Sequence, residues 1–255
     1  MKNHISLGLG FLALAFPCLS FSCTTVTDTG RRQLNFMSPQ EEAEQGFQAF
    51  EKIKQKRPIS RDSAKQAAVR RVGNRIASVV KVPNARWEFV VFDDKTPNAF
   101  ALPGGKVGVN SGIFPITRND AGLATVVSHE IAHVVARHGA ERQSQKTLHN
   151  AGSLALSLLG AGALGNIAGA GSQLGLLGFS RKHELEADQM GALYMARAGY
   201  DPREAVALWQ RFDAYKQSSG RGGQPEFLST HPVDGRRIQA LQRFMPRALQ
   251  DYRPR

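Results

Sequence analysis

Apolar positions recur at helical spacing along most of this chain and switch to alternation in one short region. Ala43, Phe47, Phe50 and Ile53 form one face of a helix that Ser38-Pro39-Gln40-Glu41 opens, with an N-cap, a proline at the first helical position and a capping-box glutamate. Ala68, Val72, Ile76 and Val79 mark a second amphipathic helix over 64–80. The period then changes. Residues 87–92 are rich in aromatic and β-branched side chains, 106–109 alternate after a Gly104-Gly105 turn, and both stretches predict strands. Leu123, Val126, Val127, Ile131, Val134 and Val135 return to helical spacing and predict a helix over 119–138, capped by Asn119 or Asp120 at its start and by Gly139 at its end. Three more helices follow: one on Ala187, Met190, Leu193, Tyr194 and Ala198 that ends at Gly199, one from Asp201-Pro202-Arg203-Glu204 through Tyr215, and a last one to about Phe244. Together these predict one domain of several helices, with a sheet edge just before the 119–138 helix.

Two stretches lack this amphipathic pattern. Lys2 precedes an apolar run over 5–16, Pro17 breaks it and Ser20-Phe21-Ser22 supplies a small-x-small triplet, so residues 1–22 read as a secretory signal peptide. The run is too short to span a bilayer comfortably. From 151 to 179 no residue is charged, and glycine, alanine and leucine dominate. The glycines favour a soluble flap or buried hairpin over the cleft, because each one inside a helix costs about 1 kcal/mol against alanine. Insertion into a membrane stays open as the alternative. Residues 23–37 are polar and read as a tether, which leaves 38–255 as the domain.

Composition changes this picture in two ways. The two cysteines, Cys18 and Cys23, lie in or beside the leader, so the mature domain has neither an internal disulfide nor a thiolate metal site. Cys23 either carries the lipid of a bacterial lipoprotein, tying the protein to the outer membrane, or remains a free thiol after cleavage behind Ser22. The formal charge of +12 raises nucleic acid as a partner. However, the basic residues are scattered, aromatics are few and no nucleic-acid module appears, so nucleic acid is set aside in favour of a basic surface suited to lipid headgroups.

The candidate chemistry lies in the 119–138 helix, at His129-Glu130-Ile131-Ala132-His133. Imidazoles four residues apart share a helix face and can grip one metal ion with Glu130 beside it. Zinc takes neutral imidazoles, keeps an open position in catalytic sites, and acidifies a water that a neighbouring carboxylate deprotonates. Glu184 and Asp188, four apart on the next helix, also share a face. Glu184 can complete a two-His, one-Glu site, and Asp188 can orient an imidazole from behind. Glu186 points elsewhere. His138 lacks the spacing of a metzincin's third histidine and reads as a helix-end residue favourable against the dipole. His231 can reach the metal or an oxyanion from its loop, with Arg237 steadying charge there, or it is a surface histidine ahead of a helix. Asn98, Ala99 and Phe100 lie on a sheet edge that can hold an extended peptide as an added strand, or that merely covers the core.

Four ordered motifs resemble the zinc metallopeptidases of peptidase family M48. They are His129-Glu130-x-x-His133, Ser180-Arg181-x-x-Glu184-x-x-x-Asp188, Asn98-Ala99-Phe100 with Pro103-Gly104-Gly105, and Thr230-His231-Pro232 with Arg237. The resemblance implies a zincin-like α+β fold, mostly helical with a small β-sheet beside the active-site helix, in which His129, His133 and Glu184 hold zinc and Glu130 is the general base. It also implies that His231 approaches the metal, either stabilising the transition state or acting as a switchable fourth ligand. The expectation is an exported zinc endopeptidase acting on proteins or peptides in the periplasm, in quality control of envelope proteins. Membrane association would come through Cys23 lipidation or through residues 151–179. The competing expectation is a periplasmic chaperone or assembly factor whose zinc site is structural or kept closed. Hydrolysis of a non-peptide bond is a third, which the edge strand speaks against.

Overall fold

The computed structural model describes residues 22–158, 180–218, 226–232 and 234–254. Apart from Ser22, the stretch read as a signal peptide lies outside the described residues, as do residues 159–179 of the uncharged stretch. Among those described, no helix is long and apolar enough to cross a membrane. In chain order the elements are β1 (Ser22–Thr25), β2 (Arg32–Asn35), α1 (Pro39–Lys56), α2 (Ser63–Ala77), β3 (Glu88–Phe92), β4 (Ala99–Leu102) and β5 (Lys106–Asn110). There follow α3 (Phe114–Thr117), α4 (Asp120–Val135), α5 (His138–Leu158), α6 (Arg181–Arg197), α7 (Glu204–Ser218), α8 (Glu226–Thr230) and α9 (Gly235–Asp251).

The α+β architecture read from the sequence is the one observed. Ser38 and Glu41 make the reciprocal capping box that starts α1. In the three-stranded sheet β5 is central, parallel to β3 and antiparallel to β4. Gly104 and Gly105, both at φ 81°, make the β4–β5 turn, a conformation that side chains with a Cβ resist. Strand β4 is left as an edge, lying against α4.

Helix α4 is the centre of the molecule. Every residue from Gly122 to Val134 is buried, as expected for a helix apolar nearly all round. Val126, Val127 and Ile131 join Val72, Ile76, Val107 and Met190 in one core. The closest partner is α6, and Gly191 makes that approach possible. A Cβ there would stand 3.2 Å from the main-chain nitrogen of His129 and from Ser128 Oγ. The few polar side chains on α4, Ser128, His129, Glu130 and His133 among them, are thereby sealed from water and need partners.

Two expectations are corrected. Residues 23–37, read as a tether, are folded into the antiparallel hairpin β1–β2, which runs from Ser22 to Asn35. Val26, Gln33 and Asn35 are buried in it, and the Phe36 N–H donates to Ser144 Oγ on α5 at 2.9 Å. Its polar composition concealed this because buried polar ties, more than an apolar face, hold it down. The helix expected over 119–138 stops at Val135, and a new one begins at His138, with Gly139 in its first turn rather than as a cap. Arg137 makes the break at φ 55°, a left-handed conformation that costs an L-residue about 1–2 kcal/mol. Its guanidinium offsets that cost by donating to Met37 O at 2.6 Å and to the Glu42 carboxylate.

Candidate metal centre

Helical geometry places His129 and His133 on one face of α4, and α6 brings Glu184 against them. The short helix α8 delivers His231, whose ring stacks on Phe227 at 4.8 Å between centroids. His133 Nε2 lies 3.1 Å from His129 Nε2 and 3.3 Å from Glu184 Oε1. His231 Nδ1 lies 3.3 Å from His129 Nε2 and 3.1 Å from Glu184 Oε1. His129 Nε2 is 3.4 Å from Glu184 Oε2. One ligand atom from each of these four buried residues falls within a span of 4.8 Å. Donors roughly 2.0–2.1 Å from a tetrahedral ion stand about 3.3–3.4 Å apart, so this spacing fits a metal ion of zinc's size.

The charges fit as well. Burial pushes His133 far below its ordinary value, towards the neutral form that can ligate. Burial also lowers His129, but contacts with Asp188 and Glu184 outweigh it and hold the ring at about 9, so a cation entering here displaces a proton. Glu184, although buried, is kept well below the carboxylate range by hydrogen bonds from the three imidazoles. Arg237 adds to this, its Nη1 2.8 Å from Glu184 Oε2.

Behind the donors, Asp188 stands 3.0 Å from His129 Nδ1, an oblique charge contact rather than an in-line hydrogen bond. Arg237 grips Asp188 with two hydrogen bonds, Nε to Oδ2 at 2.9 Å and Nη2 to Oδ1 at 2.8 Å. The guanidinium is 2 % exposed and lies over the Trp209 ring at 4.5 Å. Glu130 is also buried, its Oε1 without a hydrogen-bond partner and 3.4 Å from His231 Nε2. Burial raises Glu130 above the ordinary carboxyl value, against the charges of His231 and His129 and the main-chain amide of Ala101 on β4.

The structure thus brings His129, Glu130, His133, Glu184, Asp188, His231 and Arg237 together. Asn98 and Ala99 are buried, and Phe100 packs against Phe50 and Phe92 at 6.2 and 6.1 Å. What β4 offers the site is its main chain. Sequence reasoning missed a second group, His138, Glu141 and Glu186. His138 Nδ1 lies 2.9 Å from His133 Nδ1, and its Nε2 lies 3.0 Å from Glu186 Oε2. The spacing of His138 and Glu141, three apart on one helix face, was the available signal.

A mostly helical α+β fold, with two imidazoles from a central helix facing a carboxylate from a second helix, defines a zincin-like metal-site protein. Residues 63–245 match the family described as Peptidase family M48, and the chain belongs to that family. It is 42 % identical over 177 residues to the mitochondrial metalloendopeptidase OMA1 of Saccharomyces cerevisiae, covering 66 % of this chain and 49 % of that protein. It is 30 % identical over 243 residues to the putative beta-barrel assembly-enhancing protease of Vibrio cholerae, covering 89 % of this chain and 49 % of that one. With the beta-barrel assembly-enhancing protease of Escherichia coli K12 the identity is 29 % over 234 residues, 87 % of this chain and 47 % of the relative. The chain spans about half the length of these curated relatives.

Proposed function

We propose that this protein is a zinc-dependent endopeptidase. The observation that carries the reading is the set of four donors at tetrahedral spacing, with the unpartnered Glu130 carboxylate oxygen beside it. His129, His133 and Glu184 would hold the metal. Zinc held there would supply Lewis acidity, enough to let a water lose its proton near neutral pH. Glu130 accepts that proton on Oε1 and returns it to the leaving amine, while the water's oxygen adds to the carbonyl carbon and the C–N bond breaks. Substrate adds as a strand along the open edge of β4 at Asn98, Ala99 and Phe100, held by main-chain hydrogen bonds. The Ala101 amide, facing Glu130, ties that edge to the reacting centre.

His231 stands between the two parts of the site, Nδ1 towards the metal donors and Nε2 towards Glu130. With an oxyanion present it stabilises the developing charge; as a fourth donor it closes the site. The closed form favours a second reading, a chaperone or assembly factor that does not hydrolyse its clients. For cellular context we propose the periplasm, with a lipid on Cys23, which is exposed on β1, as the link to the outer membrane. Envelope proteins are then the substrates. This is supported by the leader-like pattern of residues 1–22 and by relatives that carry the name beta-barrel assembly-enhancing protease.

Zinc content and casein cleavage, measured for the protein, for Glu130→Gln and for His231→Ala, test the proposal. Glu130→Gln should keep its zinc and lose about 10²–10⁴-fold in cleavage rate, the usual worth of a positioned general base. Unchanged cleavage would sink the mechanism. Faster cleavage by His231→Ala marks a self-closed site, and slower cleavage a role in the transition state.

A further inference from the structure

The hairpin β1–β2 reaches the metal centre through a line of polar contacts. His133 turns Nε2 towards the other metal donors, which leaves Nδ1 facing His138. An imidazole that gives a metal one lone pair keeps its proton on the other nitrogen. This fixes the sense of every bond behind it. His133 Nδ1–H donates to His138 Nδ1 at 2.9 Å, and His138 Nε2–H therefore donates to Glu186 Oε2 at 3.0 Å. Glu186 in turn accepts from Arg31 Nε at 2.5 Å and from Thr29 Oγ1, both on the hairpin turn. Arg31 also donates from Nη1 to Glu141 Oε1 at 2.9 Å, and His183 Nε2–H donates to Glu141 Oε2 at 3.0 Å. The His183 ring stacks on His138, centroids 4.3 Å apart, and fixes its plane. The Arg31 guanidinium lies against both carboxylates, and each serves as an acceptor.

We infer that Arg31 and Thr29 are positioning residues of the metal centre: they hold Glu186, Glu186 fixes the tautomer of His138, and His138 fixes the tautomer and tilt of His133. The N-terminal hairpin is then a support for a metal ligand. The inference rests on the reading of His133 as that ligand.

Zinc dissociation constants, obtained by competition with a chromophoric chelator on the full chain, test it beside the melting temperature of the metal-free form. His138→Phe keeps the ring and its stack on His183 while removing both nitrogens, and Arg31→Gln cuts the grip on Glu186. The first should weaken zinc about 10–100-fold and the second about 3–10-fold, as loss of a partner behind a ligand usually does. Tyr194→Phe is the control. It removes the hydroxyl that donates to Asp28, another tie of the hairpin, and should leave zinc affinity within about twofold. A long-range proton–nitrogen spectrum of the zinc-loaded protein should show His138 protonated on Nε2. Zinc binding unchanged in His138→Phe, a control that weakens zinc as much as Arg31→Gln does, or His138 protonated on Nδ1 would each overturn the inference while leaving the metal reading intact. A wild-type protein that binds no zinc would instead overturn the metal reading, and this inference with it.

Discussion

His129 and His133 sit one turn apart on α4 and are supported in unlike ways. Behind His129 stands a carboxylate at first remove, Asp188, locked by a guanidinium that is itself buried beneath Trp209. Behind His133 the carboxylate is one imidazole further out, and the cation that holds it comes from a hairpin at the other end of the chain. The first support is deep and made by neighbouring helices. The second is longer and ends in a partly exposed element. The difference teaches that orientation and stability are separable: the same task of aiming a ring is coupled strongly to the core on one side and weakly on the other.

Asp188→Ala should give the largest effect, because it takes two hydrogen bonds from the buried Arg237 guanidinium and leaves that charge with Glu184 alone. Removing one partner of such a pair costs about 3–5 kcal/mol, read from urea unfolding of the metal-free protein. Glu186→Ala should cost clearly less, since each cation keeps one carboxylate but the Arg31–Glu186 pair lies nearer solvent than Arg237–Asp188. Equal losses would break the comparison. Metal removal comes next. Zinc held at a thousand times its dissociation constant stabilises the folded state by about 4 kcal/mol, so a chelator should lower the melting temperature of the wild type and have a smaller effect in His138→Phe at the same free zinc. The smallest effect concerns Glu141. Burial pushes its carboxyl up, but hydrogen bonds from His183 and Arg31 outweigh this and hold it at about 2 against an ordinary 4.5. A depressed carboxylate contributes stability in full above 4.5 and loses it as the pH falls towards 2. Melting temperatures of the wild type and Glu141→Gln should therefore converge through that window, and a gap that stays constant would remove Glu141 as the source.

Much of the His129 side was legible because it lies in periodic sequence. Glu184 and Asp188 share a face at a spacing of four, and the capping box at Ser38, the Gly-Gly turn and the strand expected over 87–92, observed from Glu88, follow local rules. The His133 side was not legible. Glu186 does turn away from the donors, as a residue two positions along a helix must, but what it turns towards is a hairpin more than 150 residues away in sequence, at Thr29 and Arg31. His138 was concealed by the break at Arg137. On an unbroken helix a residue five places on would not meet His133, and only tertiary contacts of the Arg137 side chain allow the left-handed turn that brings it there. No propensity announces an arginine in that conformation.

The missing side chain at Gly191 has a metrical consequence. It sets how near the backbone of α6, which carries Glu184, can come to the backbone of α4, which carries both imidazoles. A methyl group there would force the two apart by a few tenths of an ångström, about the difference between a zinc bond of roughly 2.0–2.1 Å and a calcium bond of roughly 2.3–2.6 Å. On the metal reading proposed above, the interhelical gap sets the spacing between the Glu184 carboxylate and the two imidazoles. Gly191→Ala should open it, and the ratio of affinities for small and large divalent ions would record by how much.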